Sequence, residues 1–292
     1  MPRIANPYAD VSQARFRLKG NLHAHTTLSD GMLEPQKVID AYAEHGYGFL
    51  AISDHDRLAD ARALETWADR GMVLIPGNEI SAAGCHIQHV NASRLVPPHP
   101  DRQKVIDEIG RTGGFAVVNH PNWQQRFDHC SIADMERWQG YAGMEIYNGV
   151  IVRHPGSPYA TGKWDMLLSA GRRVWGFAND DFHGPEDLAL GWNVAFCGER
   201  SAAAVVDALG RGAFYASTGV VIKDIRVKGS SVTVETEAAS KMVAFADYGR
   251  RIAQNRGPAI TVEVPAGVRY VRFEAYGCGE EQAWTQPFFV EA

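Results

Sequence analysis

Two pairs of ligand-type side chains, far apart in the sequence, most constrain what this chain can fold into. His23 and His25 alternate in the run NLHAHTTLSDG, and Asp181 and His183 alternate in ANDDFHG. Residues two apart on a strand point to the same face, so each pair directs two side chains to one spot. Imidazole and carboxylate groups suit zinc, manganese and iron. Further candidates, each near the end of a strand-like run, complete a predicted multinuclear metal site: Asp30, His55, Glu79, His89 and His120.

Strand-like and helix-like segments alternate as far as residue 216, which is the pattern of βα units. FRLKGNLH is strand-like, PQKVIDAYAEHG has helical spacing of apolar residues, and MVLIPGNEIS predicts one strand that carries Glu79. The candidate ligands recur at the C-terminal ends of these strands. In α/β barrels that end carries the chemistry, because the loops that follow parallel strands converge there.

The pattern of apolar and polar residues changes at Ser217. From there apolar and polar residues alternate between glycine-rich turns, which predicts antiparallel strands in a small β-sandwich. We therefore expect an α/β domain over residues 1–216 and a β-sandwich domain over residues 217–292. The second domain is expected to shape the pocket rim or an oligomer contact, and the oligomeric state is left open.

Composition limits the classes of partner and cellular location that we expect for this chain. The net charge of −5 and the absence of a long basic run predict no stable nucleic-acid partner, although a nucleotide remains possible as a small substrate. No segment has the character of a signal peptide or a membrane span. The four cysteines are scattered without a CxxC pair, so a disulfide framework is not expected and a cytoplasmic location is the default.

The order of short motifs HAH, SDG, SDHD, GNE, HVN, NHP and DFH resembles the polymerase and histidinol phosphatase (PHP) family, over roughly residues 15–215. Amidohydrolase barrels also begin with His-x-His but often bridge their metals with a carboxylated lysine. Here Glu79 takes the bridging place, as it does in PHP proteins. The STG motif at Ser217, the trailing β-region and the AWTQPFF end resemble a branch of metallohydrolases similar to carbaryl hydrolase.

This resemblance implies a distorted (β/α)7 TIM-like barrel that holds two or three divalent ions (zinc, manganese or iron). The implied ligands of the first ion are His23, His25, Glu79 and Asp181. Glu79 would bridge to a second ion that is completed by His89 and His120, and a third would be held by Asp30, His55 and His183. His86 competes with His89, and the family-like run HVNA favours His89.

The same resemblance, together with metal chemistry, indicates a hydrolase. A water that bridges two divalent ions is acidic enough to supply hydroxide near neutral pH. Asp56, one residue past His55, is assigned as a catalytic group that orients His55 or protonates the leaving group. The leading function is a phosphoesterase for a small organic phosphate or nucleotide. The alternatives are a carboxylic-ester or carbamate hydrolase, and a non-catalytic barrel that binds metal or a sugar.

Substrate-binding assignments depend on the run NHPNWQQRF. PHP phosphoesterases often place glycine and then arginine soon after the HP pair, whereas here Asn122 and Trp123 follow it and Arg126 comes late. We assign Arg126 to an anionic substrate and place Trp123 and Asn148 on the pocket wall. Arg57, Arg153 and Lys163 are further candidates for an anionic substrate, although solvated surface charge is the preferred interpretation for them. Four other basic residues are interpreted as solvated: His45, His99, His129 and His154.

Overall fold

The structure, a computed structural model, describes residues 3–291 and has a mixed α/β fold. Up to Ser217, strands and helices are interspersed, although some successive strands have no α-helix between them. The strands are β1 (Arg3–Ala5), β2 (Phe16–Asn21), β3 (Phe49–Ala51), β4 (Val73–Ile75), β5 (Gly77–Ile80), β6 (Ile87–Val90), β7 (Phe115–Val118), β8 (Gly143–Asn148), β9 (Trp175–Asn179), β10 (Trp192–Cys197) and β11 (Phe214–Ser217). The helices are α1 (Pro35–Glu44), α2 (Ala61–Glu65), α3 (Arg102–Gly110), α4 (Ile132–Arg137), α5 (Thr161–Ser169) and α6 (Ala202–Gly210).

Two sheets meet at Pro76. Strands β2, β3 and β4 pair in parallel, and so do β7, β8 and β9. The single strand predicted over MVLIPGNEIS is two, because Pro76 has no N–H to donate to a ladder. As a result β4 pairs with β3 and β5 pairs with β6 of the other sheet. Isolated parallel bridges, Ala24 with Phe182 and His55 with Glu79, connect the two sheets beside the ligand-bearing strand ends.

Strand β6 runs against its neighbours. It pairs antiparallel with both β5 and β7. The connection over residues 81–86 is too short for the crossover of about a dozen residues that a parallel partner needs. The expectation that every ligand follows the C-terminal end of its strand is therefore wrong here. The start of β6 lies beside the ends of β5 and β7.

The strands after Ser217 are antiparallel, as predicted. They are β12 (Ile222–Lys228), β13 (Ser231–Thr236), β14 (Lys241–Ala246), β15 (Arg250–Arg256), β16 (Ala259–Glu263), β17 (Tyr270–Tyr276), β18 (Gln282–Thr285) and β19 (Phe288–Glu291). Strands β12, β13 and β16 form a separate sheet, whereas β11 pairs with β18 and carries the sheet of β2 and β10 across residue 217. One apolar cluster contains residues of both sheets: Val232 and Ile260 of the separate sheet, and Met242 and Phe273 of the sheet that includes β18.

Cys85 and Cys130 form a disulfide, with their Cα atoms 5.3 Å apart. This corrects the expectation that the scattered cysteines stay unpaired. The residues are far apart in sequence, but the loop before β6 and the loop after β7 lie side by side. None of the helices in the described residues is long and apolar enough to cross a membrane.

Candidate metal centre

Glu79 is the centre of a buried group of imidazoles. Its Oε1 lies 3.1 Å from His86 Nδ1, 3.2 Å from His120 Nε2 and 3.3 Å from His23 Nε2. Its Oε2 lies 2.8 Å from His55 Nδ1. The side chain of Glu79 is fully buried on β5, at the meeting point of the two sheets. One carboxylate thus contacts histidines that come from four different strand ends.

Asp181 is a second carboxylate shared between imidazoles. Its Oδ1 lies 3.1 Å from both His23 Nε2 and His25 Nε2, as the two alternating ligand pairs predict. Asp181 has φ of 56° and His120 has φ of 27°. L-residues rarely adopt this region, and such backbone conformations concentrate at functional sites, where the surrounding structure holds them. Both residues leave a buried strand at this point, so the turn aims their side chains into the centre.

Asp30 extends the cluster toward solvent. Its Oδ2 lies 3.5 Å from both His55 Nε2 and His183 Nε2, and its Oδ1 lies 3.7 Å from His25 Nδ1. Interaction with His183, and then with His55, holds the pKa of Asp30 far below its usual range. Asp30 therefore remains a carboxylate, the form that binds a cation.

Several buried ligand atoms at this centre lie close to one another but form no hydrogen bond of suitable geometry among the described residues. They are His23 Nε2, His25 Nε2, His55 Nδ1, Glu79 Oε2 and Asp181 Oδ1. An unsatisfied buried polar atom costs about 1–3 kcal/mol, and the penalty for a charged group is larger. Burial opposes protonation of His23, yet Asp181, Glu79 and Glu145 raise its pKa well above the ordinary value. Excess negative charge and unpartnered N and O ligand atoms are the environment that divalent cations fit.

Glu145 on β8 supports this centre from below and was missed at the sequence level. Its Oε1 lies 2.9 Å from His23 Nδ1 and accepts from Asn179 Nδ2 at 2.8 Å, while its Oε2 accepts from the backbone N–H of His120 at 2.7 Å. A carboxylate on the far ring nitrogen fixes the tautomer and orientation of a ligand histidine. The signal was a charged residue inside the otherwise apolar strand GMEIYNG.

The structure brings His86, not His89, to Glu79. Because β6 is reversed, its first residues lie beside the ligand-bearing ends of β5 and β7. Gln88 pairs with Glu79, and His89 points to the opposite face, where its Nε2 lies 2.9 Å from Thr112 Oγ1. Burial lowers the pKa of His89 to about 4, with a smaller contribution from Arg94. The preference for His89 as a ligand is therefore corrected.

A cavity of about 410 Å³ opens above the cluster. Its floor includes Asp30, His55, Glu79, His86, His120, Asp181 and His183. One wall is apolar and contains Trp123, Val150 and Ile151, while Arg153 and His154 add polar groups. The Trp123 ring centroid lies 5.3 Å from that of His120 and 5.7 Å from that of His86. An organic group on this wall would lie directly beside the metal ligands.

Known proteins resemble parts of this chain. No protein-family model matches it. The 5'-3' exoribonuclease Rnm of Escherichia coli (strain K12) is 35% identical over 94 residues, which are 31% of this chain and 32% of that protein. The 3',5'-nucleoside bisphosphate phosphatase of Chromobacterium violaceum is 38% identical over 84 residues, which are 27% of this chain and 29% of that protein. The chain thus matches about a third of the length of these curated relatives.

One solved structure matches nearly the whole fold. It is a two-domain protein of Bacteroides vulgatus described as containing a predicted PHP-like metal-dependent phosphoesterase. The match covers 94% of this chain and 95% of that one, with a TM-score of 0.58 and 18% identity. The resemblance to the PHP family is confirmed. The finer likeness to carbaryl hydrolase stays a prediction.

Two assigned residues lie outside the cavity above the Glu79 cluster. Asp56 was assigned a catalytic role, but its carboxylate accepts from Ser81 N and Oγ and from Ala82 N at 3.0–3.1 Å, which ties down the loop after β5. Arg126 was assigned to the substrate, but it is exposed on a neighbouring surface groove. Sequence proximity to a ligand did not predict the side-chain direction in either case.

Asn148 and Trp123, both predicted to line the pocket, occupy different positions relative to the cavity. Asn148 is buried, and its Nδ2 donates to Glu145 Oε2 at 2.7 Å and to Asp181 Oδ2 at 3.2 Å. It therefore holds these two carboxylates in place, whereas the prediction had placed it on the cavity wall. Trp123 does line the cavity, in agreement with its assignment.

His129 is not the solvated residue that its loop suggested. Its Nε2 accepts from the backbone N–H of His86 at 3.1 Å, and its ring packs 4.9 Å from that of His120. Burial is the main reason that the pKa of His129 falls to about 2. The Cys85–Cys130 disulfide lies next in sequence to His86 and His129, so it links the two loops that carry these histidines.

Proposed function

We propose that the protein is a metal-dependent hydrolase, and that it acts as a phosphoesterase on a small organic phosphate or nucleotide. The observation that carries the proposal is the set of unpartnered buried ligand atoms around Glu79 and Asp181, directly below an open cavity. The partial sequence matches to an exoribonuclease and to a nucleoside bisphosphate phosphatase support phosphate ester chemistry. The substrate class is our inference for this chain.

Two or three divalent ions of zinc, manganese or iron fit the donor set. In our proposal His23, His25, Glu79 and Asp181 hold one ion, and Glu79 with His86 and His120 holds a second. Asp30, His55 and His183 hold a third. Bound divalent ions would supply an activated water and neutralise charge on the attacked phosphoryl oxygen. The mixed imidazole and carboxylate ligands are compatible with each of these metals.

The protein's own groups prepare the site for this chemistry. Glu145 orients the ring of His23, and its Oε2 holds the turn at His120 by accepting from the His120 backbone N–H. Asn119 Nδ2 donates to Glu79 Oε1 at 2.7 Å, which fixes the carboxylate plane. Trp123, Val150 and Ile151 exclude water from one side and hold the organic part of the substrate. These residues bind and orient, so a separate protein nucleophile is not needed.

We further propose that residues 1–216 form a distorted (β/α)7 barrel and residues 217–292 a β-sandwich domain. The parallel ladders on both sides of β5 and β6, with the bridge from Ala24 to Phe182, support the barrel. The apolar cluster between the β13 and β14 layers supports the sandwich. A cytoplasmic location stays a prediction, and the Cys85–Cys130 disulfide removes part of its basis.

Carboxylic-ester or carbamate hydrolysis is the second candidate. The apolar wall at Trp123 and Val150 suits a neutral aryl group, and Arg126 does not lie in the main cavity. A carbonyl carbon can be attacked at the same kind of metal site as a phosphoryl group. The two candidates therefore differ in the attacked group, phosphoryl or carbonyl, and in the charge of the substrate.

The decisive experiment uses metal-free protein reloaded separately with zinc, manganese and iron. Each form is assayed against phosphomonoesters, phosphodiesters, aryl acetates and aryl carbamates with a common leaving group. We expect kcat/KM to be highest for a phosphate ester. Metal-dependent turnover confined to acetates or carbamates would replace the phosphoesterase with the second candidate. Failure of every reloaded form to cleave any of these esters would contradict both.

A further inference from the structure

We propose that Arg153 is the substrate-binding residue that contacts the anionic group of the substrate beside the metal cluster. This inference rests on the proposed function and deepens it. Arg153 ends a single 3-10 turn, Val150–Arg153, which follows β8 directly. The turn places Val150, Ile151 and Arg153 together on the cavity wall, where they face the same space as Asp181 and His183.

The guanidinium group of Arg153 is held in a fixed orientation. Its Nε donates to Asp187 Oδ1 at 2.8 Å and its Nη2 donates to Asp187 Oδ2 at 2.7 Å. Asp187 is buried, and its Oδ2 also accepts from the backbone N–H groups of His183 at 3.0 Å and Gly184 at 3.1 Å. Arg153 is therefore tied to the same turn that carries a metal ligand, which fixes its position relative to the cluster.

One edge of this guanidinium remains available. Among the described residues Arg153 Nη1 has no carboxylate partner, and it makes one long hydrogen bond, of 3.4 Å, with His154 Nε2 at the exposed edge of the cavity. Asp187 is buried behind Arg153, whereas Arg153 lines the cavity. A bidentate pair that fixes a guanidinium leaves less side-chain freedom to lose when a further anion binds. The Nη1 edge can thus donate to a phosphoryl oxygen or to a second anionic group of the substrate.

The comparison with Arg126 favours Arg153. Arg126 is exposed on the loop after β7 and lines the outer groove with Gln124 and Asp128. It has no fixed partner comparable to Asp187 in the described part of the chain. The two arginines thus offer a matched pair, one inside the cavity and held, the other outside and solvated.

The test compares Arg153→Met with Arg126→Met in metal-reloaded protein, with inorganic phosphate as the binding probe. Steady-state kinetics would be measured on a phosphomonoester and on a neutral aryl ester, and phosphate would be titrated as an inhibitor of whichever is cleaved. For Arg153→Met we expect roughly 10- to 100-fold lower kcat/KM on the phosphomonoester and a similar rise in the phosphate Ki. The neutral ester and the Arg126→Met variant should change less than about twofold. Arg153→Lys should recover part of the loss, because it restores the charge without the planar fork.

Metal content distinguishes a direct loss of phosphate binding from an indirect effect, in which the substitution displaces the metal ligand His183. If Arg153→Met retains the wild-type metal content while phosphate binding weakens, the proposal holds. Loss of a metal ion in this variant would overturn it, and so would an unchanged phosphate Ki. The proposed function fails separately, if the wild-type protein cleaves only neutral esters. The phosphate Ki measured against that ester reaction would then still decide the role of Arg153.

Discussion

Two buried clusters of charged side chains within residues 3–291 differ in how completely their polar atoms find partners. At the interface of β17 and α5, Arg272 donates from Nε and Nη2 to both oxygens of Asp165 at 2.7 Å and from Nη1 to Glu274 at 2.6 Å. Tyr270 OH donates to Asp165 at 2.6 Å. At the Glu79 centre, by contrast, carboxylate and imidazole atoms face one another with several left unpartnered among the described residues.

This contrast distinguishes a structural ion cluster from a functional one. In the Arg272 cluster one cation satisfies two carboxylates, and the guanidinium also lies over the rings of Trp164 and Phe245. Burial and charge are common to both clusters, so neither property identifies a metal site. What favours a metal site is a group of imidazole and carboxylate atoms left unpartnered together, because a bound cation would remove the cost of leaving them so.

The largest expected effect is at Glu79. Glu79→Gln removes the charge that is shared among four histidines, so we expect loss of at least one metal ion and a fall in turnover of roughly 100-fold or more. Elemental analysis and kcat measured on the same preparation would check this. Wild-type metal content with wild-type turnover would exclude Glu79 from the metal centre.

The Arg272 cluster should respond in stability and not in metal content. Arg272→Met leaves Asp165 and Glu274 buried without their cation, so we expect about 3–5 kcal/mol lower free energy of unfolding. Urea unfolding would measure it, with metal content determined in parallel. Arg226→Met is the matched control, because Arg226 pairs with Asp224 and Glu235 at the surface, where solvent screens the ion pairs, and its loss should hardly change the free energy of unfolding. Equal losses for the two variants would contradict the distinction.

His86 and His89 sharpen the boundary of the metal centre. His86→Ala should lower metal affinity or activity by roughly 10- to 100-fold, because the imidazole faces Glu79. His89→Ala should keep the full metal complement, because its ring faces Thr112 on the other side of β6. Metal titration of both variants is the measurement. Metal loss in His89→Ala with none in His86→Ala would reverse our assignment.

The smallest effect is the pH dependence contributed by His89. Burial lowers its pKa from 6.5 to about 4, so between these values the unfolded chain binds a proton that the folded protein does not. Its contribution to stability is present above about pH 6.5 and is lost as the pH falls toward 4. Urea unfolding of chelated wild-type protein and His89→Gln at pH 7 and pH 4.5 would isolate it. An identical pH dependence in both proteins would show that His89 does not titrate in this way.

Much of the fold was predictable because its signals are local. The apolar spacing of PQKVIDAYAEHG predicted a helix, and α1 covers Pro35–Glu44. The alternation after Ser217 predicted antiparallel strands. The continuation of the sheet through β11 and β18 was not predictable, because it is a pairing of strands that are distant in the sequence. Local periodicity indicates that a strand exists and says nothing about its partner.

The residue types that meet at the centre could be predicted from the sequence alone. The alternation of His23 with His25 and of Asp181 with His183 requires each pair to share a face, whatever the surrounding topology. Which of the remaining groups joins these two pairs depends on the tertiary structure. The reversal of β6 selects His86, the packing of β8 brings Glu145 under His23, and the turn after β8 brings Arg153 into the cavity. Strand direction and register are set by contacts between distant segments, and a one-residue change in register moves every side chain to the opposite face.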